Sequence, residues 1–115
     1  MQPMTQVPTS LSACPVKTAT EVMGGKWKPG LLYNLAGRRM RLSQMRREMP
    51  WISERVLIRQ LKELARDGIV ERRDHGEMPP RTDYALTPYG ETLMPVLDAL
   101  ADWGARHVAG GRRQG

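Results

Sequence analysis

WISERVLIRQLKELARDG, residues 51–68, is the stretch that decides how this chain folds. Ser53 is a good helix N-cap, and Glu54 in the first turn suits the positive end of the helix dipole. Ile52, just outside the cap, can staple onto Leu57. Leu57, Leu61 and Leu64 recur at helical spacing and make one apolar stripe. Arg55, Arg59, Lys62 and Arg66 recur at i, i+4, i+7 and i+11 and make a second, basic stripe on another face. Gly68 stops the helix. Such a helix is held to a core by one face and offers cations on another. The bland alternative is a solvated face carrying ordinary ion pairs, such as Arg59 with Glu63.

Upstream, RRMRLSQMRREMP (38–50) reads as a short helix. Leu42, Met45 and Met49 share one face of it, with Arg46 and Arg47 off that face. KWKPGLLYNLAG, which ends at Gly37, is a helix that starts near Lys28, because Pro29 is tolerated only in a first turn. Trp27, Leu31, Leu32 and Leu35 are its apolar set. Another helix starts at Cys14-Pro15, Pro being favoured at the first position, and stops at Gly24-Gly25. Downstream, IVERR and RTDYALT are two strand-like runs. The loop between them carries Pro79-Pro80, which would stiffen the tip and mount Arg81 rigidly. TPYGETLMPVLDALADWGARH (87–107) reads as one long helix with Leu93, Leu97, Leu100 and Trp103 along one side and Val96 beside them.

Composition bounds the rest. The 115 residues suggest one domain with a modest core. No run approaches the roughly 18 apolar residues that span a bilayer, and MQPMTQVPTSLSA (1–13) lacks the basic head and apolar core of a secretory signal. A cytoplasmic protein with no membrane association is expected. We expect residues 1–13 to be a flexible arm, 14–109 the domain, and 110–115 a disordered tail. The single Cys14 excludes an internal disulfide framework and a Cys-rich zinc site. No Gly-rich phosphate loop, HExxH or GxSxG is present, and the histidines at 75 and 107 stand far apart, so the reading is not an enzyme, with no metal and no cofactor. The methionines read as flexible core packing.

The net charge is +6 and the pI near 10.1. All of that excess lies between Arg38 and Arg73, where eleven basic residues face five acidic ones. From 82 to 105 there is no basic residue, while Asp83, Glu91, Asp98 and Asp102 are acidic. A localised basic face most often meets nucleic acid.

Short helix, tight turn, basic amphipathic helix and two-stranded hairpin are the order of a winged helix-turn-helix. The expected class is therefore mainly α with a small β-hairpin wing (α+β). The basic helix fits a major groove about 12 Å wide. On this reading Ser53, Arg55, Arg59 and Lys62 contact DNA, with Glu54 and Ile58 on the same surface. Ser53 and Arg55 lie at the end where base edges are met, and Ile58 can touch a thymine methyl. Arg41 and Ser43 on the preceding helix and Arg73 and Arg81 on the wing complete the set. His75 reads as an ordinary loop residue.

Cys14-Pro15, Gly24-Gly25-Lys26-Trp27, RLSQMRREMPWIS, VLIRQLKELARDGIVERR, MPPRTDYALTPYGETL and LDALADWG together resemble the HxlR-type regulators, winged helix-turn-helix relatives of the MarR proteins, across residues 14–107. The resemblance implies a homodimer on a palindromic operator, commonly a repressor, with the first and last helices as the interface. Val16, Leu93, Val96, Leu97, Leu100 and Trp103 are the residues it places there. It also implies that Cys14 senses oxidants or electrophiles. The residues agree, since a helix N-terminus and a cation such as Lys17 one turn on both favour a reactive thiol; a small buried residue is the plain alternative. Two departures stand out. Pro29-Gly30 replaces apolar helix formers, and Trp51 occupies a turn where a small residue is commoner; it is expected in the core or partly exposed, with packing on the DNA sugar-phosphate edge as the other reading. Two other readings stay open: a regulator that answers a non-covalent ligand held near Trp27 and Trp103, and a winged-helix module that docks proteins.

Overall fold

A computed structural model of the protein describes residues 14–76 and 81–110. The Pro79-Pro80 tip expected to be stiff, the expected arm at 1–13 and residues 111–115 of the expected tail lie outside the described residues. The elements run α1 (Pro15–Met23), α2 (Lys28–Leu35), β1 (Met40–Arg41), α3 (Leu42–Glu48), α4 (Glu54–Arg66), β2 (Val70–Asp74), β3 (Thr82–Leu86), α5 (Pro88–Glu91) and α6 (Met94–Ala109). No described helix is long and apolar enough to cross a membrane.

Local sequence accounts for most boundaries. Pro15 and Pro29 sit in the first turns of α1 and α2, where a missing N–H costs nothing. The Ser53 hydroxyl accepts the Val56 N–H at 3.2 Å and caps α4 as expected. At the far end Gly68 takes φ +77°. Gly68 N–H donates to Ala65 O at 3.0 Å and Ile69 N–H to Leu64 O at 2.9 Å, which is a Schellman stop.

Two elements depart from the expectation. The 38–50 helix is shorter than its sequence suggests, because Met40–Arg41 is a strand that pairs antiparallel with β3, Met40 facing Tyr84 and Arg41 facing Asp83. The hairpin is thus part of a three-stranded sheet of order β1-β3-β2, with Val70 opposite Leu86 and Asp74 opposite Thr82. The helix expected over 87–107 is broken at Thr92-Leu93 into α5 and α6. Pro95 has no N–H to give to the Glu91 carbonyl, so the helix restarts with Pro95 in its first turn.

The core closes around α2, α3 and α4. Leu31, Leu32, Leu35, Met40, Met45, Leu57, Leu61 and Leu64 are fully buried, and Tyr84 and Leu86 of β3 join them. From α6 only Leu97 is buried; Leu93 packs partly against the core. Leu97, expected at a dimer interface, therefore serves the chain's own core (3% exposed).

Candidate nucleic-acid interface

α4 carries two faces. Leu57, Leu61 and Leu64 point into the core, while Arg55, Arg59, Lys62 and Arg66 are exposed. Ile58 is half-buried between them. Both expected stripes are present, and the basic one is open to solvent.

One groove gathers residues from four elements, the predicted Arg41, Ser43, Glu54 and Arg81 among them. Arg41 of β1, Ser43 and Arg46 of α3, Glu54 of α4, and Arg81 and Thr82 at the wing line it together. Arg46 also forms an ion pair with Glu54 (3.4 Å), tying the end of α3 to the start of α4. The sequence reading left Arg46 out of the site, although its place off the apolar face of α3 was the available signal. The hairpin is closed below its tip by His75 N–H donating to Arg81 O at 2.9 Å.

The wing is held by a charge network that ties Arg39, just before β1, to β2 and β3. Arg39 Nη1 donates to Asp83 Oδ1 at 2.8 Å, and Arg39 also pairs with Glu71. His75 Nε2 lies 2.6 Å from Asp83 Oδ2. Asp83 is 6% exposed. Burial pushes its carboxyl up, but the hydrogen bonds from Arg39 and His75 outweigh that and leave it below the usual carboxylate range. The Arg39 hydrogen bond also holds Glu71 low. His75, expected to be an ordinary loop residue, is a member of this network. Arg73 pairs with Glu71 (3.3 Å) and Arg72 with Asp74 (3.0 Å), so both arginines of β2 have an acidic neighbour on their own strand.

Glu63, which the bland alternative paired with Arg59, forms its ion pair with Lys28 of α2 at 2.7 Å. Two further placements differ from the expectation. Trp51 is exposed, not part of the core. Lys17, expected to act on the Cys14 thiol, pairs with Glu21, one turn the other way; Cys14 is half-buried at the N-cap of α1 and makes no side-chain capping bond there.

Away from this basic side, α1 and α6 flank an apolar cleft of about 480 Å³ lined by Val16, Ala19, Met23, Pro29, Val96 and Leu100. Neither Trp27 nor Trp103 lines it. Trp27 borders a groove with Lys26 and Arg59, and Trp103 stacks on His107 at 4.9 Å. Among the described residues no group of three or more His, Cys, Asp or Glu could hold a metal ion.

A basic recognition helix buttressed by a short helix, beside a three-stranded sheet ending in a hairpin, defines a winged helix-turn-helix transcriptional regulator, a class that binds DNA. The chain belongs to the HxlR-like helix-turn-helix family, whose description matches residues 22–111. It is 43% identical over 94 residues to YdeP of Bacillus subtilis (strain 168), named as an uncharacterized HTH-type transcriptional regulator, covering 82% of this chain and 73% of that one. Among solved structures it is similar to the redox regulator HypR. The reduced form is 40% identical with a TM-score of 0.78, covering 81% of this chain and 92% of that one. The oxidised form is 41% identical with a TM-score of 0.77, covering 81% and 96%.

Proposed function

We propose that the chain is a sequence-specific repressor that binds a palindromic operator in the cytoplasm as a homodimer. The observation that carries this is the opposition of faces on α4, where Leu57, Leu61 and Leu64 are buried and Arg55, Arg59 and Lys62 are open. α4 enters the major groove. Arg55 and the Ser53 hydroxyl, whose oxygen caps the helix while its hydrogen remains to donate, meet base edges near the N-terminus. Glu54 can accept from a cytosine amino group, and Ile58 can meet a thymine methyl. Arg59 and Lys62 hold phosphates, as do Arg41 and Ser43 in the adjoining groove and Arg73 and Arg81 on the wing. The dimer forms through α1 and α6, where Val16, Val96, Leu100 and Trp103 are exposed, with Leu93 at its edge. Two half-sites then lie roughly 10 base pairs apart.

Cys14 is the proposed switch. Its place at the start of α1 puts it beside the face assigned to the dimer, and the similar protein HypR is named a redox regulator. Two Cys14 thiols from two copies would give up two protons and two electrons to an oxidant such as diamide and form an intersubunit disulfide. A non-covalent effector is the second reading, favoured by the apolar cleft between α1 and α6.

The test is a gel shift on the DNA upstream of the gene, across a salt series, with reduced and diamide-treated protein. Binding should fall steeply with salt, because each neutralised phosphate releases counterions and contributes about 0.9 to the slope. Oxidation should abolish binding by the native chain and not by Cys14→Ser. Oxidant-insensitive binding would retain the DNA reading and move the switch to the cleft. A flat salt dependence would sink the DNA reading and favour a protein-docking module.

A further inference from the structure

Trp51 is 64% exposed, yet the turn that carries it is firmly pinned. Met49 and Ile52 are both buried, and Ile52 N–H donates to Met49 O at 3.1 Å. Residues 49–52 therefore form a β-turn with Pro50 at the second position, where its fixed φ is suited. No described residue other than glycine has positive φ, so Trp51 occupies the third position of a type I turn rather than a type II turn. The fold thus holds a large aromatic side chain outward at the junction of α3 and α4, two residues before the Ser53 cap.

A single exposed apolar residue needs no explanation by itself; this one is distinguished by its mount and its surroundings. Within five positions of it lie Arg46, Arg47 and Arg55, all exposed, while the acids in that span are engaged, Glu48 with Arg38 at 2.8 Å and Glu54 with Arg46, which leaves the arginines in excess. That setting suits a polyanion. An indole suits the edge of a nucleic-acid backbone, because it joins an apolar face to an N–H that can only donate.

We propose that Trp51 is a DNA-backbone contact. Its face packs on a deoxyribose flanking the groove that α4 enters, and its Nε1–H donates to a phosphate oxygen. The proposal rests on the DNA-binding reading above. It carries two consequences that a cation would not share. The contact is to the backbone, so it acts alike on all sequences. The indole is uncharged, so it releases no counterion.

The experiment is fluorescence anisotropy of two labelled duplexes, the upstream region and a mixed-sequence duplex of about 30 base pairs, across a salt series. Native protein, Trp51→Ala, Trp51→Phe and Arg55→Ala are compared. Trp51→Ala should bind both duplexes about tenfold more weakly, the loss of roughly 1.4 kcal/mol, with the native salt slope. Trp51→Phe should fall between them, and Arg55→Ala should reduce the slope by about one. Duplex should also shift the tryptophan emission of the native chain and not that of Trp51→Phe, which keeps the turn should the alanine variant melt early. Trp51→Ala binding within twofold of native, with unchanged emission, overturns the proposal and leaves the indole to solvent or a protein partner. Weakening on the upstream duplex alone overturns the backbone assignment in favour of base reading. Failure of the native chain to bind either duplex overturns the parent reading and this one with it.

Discussion

Gly90 shows how a single residue ties the ends of this fold together. A Cβ built there would lie 2.0 Å from the Ile69 carbonyl oxygen and 2.9 Å from its carbon. Those atoms are backbone, and the same carbonyl accepts Thr87 N–H at 3.0 Å while the Thr87 hydroxyl donates to the adjoining Gly68 carbonyl at 2.6 Å, so it has little room to move. The first turn of α5 is thereby seated against the chain that has just left α4, and the approach is close enough that only glycine fits. Gly90→Ala should lower stability by about 2–3 kcal/mol, the upper range for overpacking a buried site, read as a lower urea midpoint. Gly30→Ala is the control. Its added Cβ has nothing within 4 Å, and alanine in a helix is favoured over glycine by about 0.5–1 kcal/mol, so that variant should be slightly more stable.

At the scale of the element, α4 and the wing differ in how much of them could be read from the chain. The stripe of Leu57, Leu61 and Leu64, the Ser53 cap and the Gly68 stop are local, set by residues within a turn or two of one another, and all are present in the structure. The wing depends on partners far away in sequence. Arg39 reaches Asp83 across 44 positions, and β1 is two residues long, too short for any alternation to announce it. Lys28, only 7% exposed and paired with Glu63, was illegible for the same reason, and the sequence left Trp51 open between core and surface, since tertiary packing decides which way each faces. The network has a pH signature. Asp83 and Glu71 both titrate below their ordinary values in the folded chain. Their stabilising contribution is therefore complete above the unfolded carboxylate range, near pH 4, and is lost as pH falls through the folded values. Arg39→Gln should be less stable than the native chain at pH 7, and the gap in urea midpoint should close below about pH 4. A gap that persists unchanged at low pH would show that Arg39 acts through packing and not through its charge.

At the scale of the whole molecule, the two ends are chemically opposed. The α3, α4 and wing side is cationic, whereas α6 exposes Asp98, with Asp102 paired to Arg106, beside Val96, Leu100 and Trp103. Acidic residues there would repel phosphate, so this face is suited to another protein surface, and the proposal assigns it to a second copy. Leu100 and Trp103 are 50% and 60% exposed in the single chain, so a charge at either should leave the chain folded. In a dimer the same charge would be buried without a partner, which is costly. Leu100→Glu and Trp103→Glu should therefore sediment as monomers at concentrations where the native chain is dimeric, with unchanged far-UV circular dichroism. Operator binding should fall with them. Two linked half-sites gain roughly 10²- to 10⁴-fold in avidity over one, so a monomer with an intact α4 should lose about that factor on the palindrome, while binding to an isolated half-site stays within a few-fold of native. Dimers that persist in both variants would place the interface elsewhere on the chain. Monomers that keep full affinity for the palindrome would show that each winged helix reads its site alone.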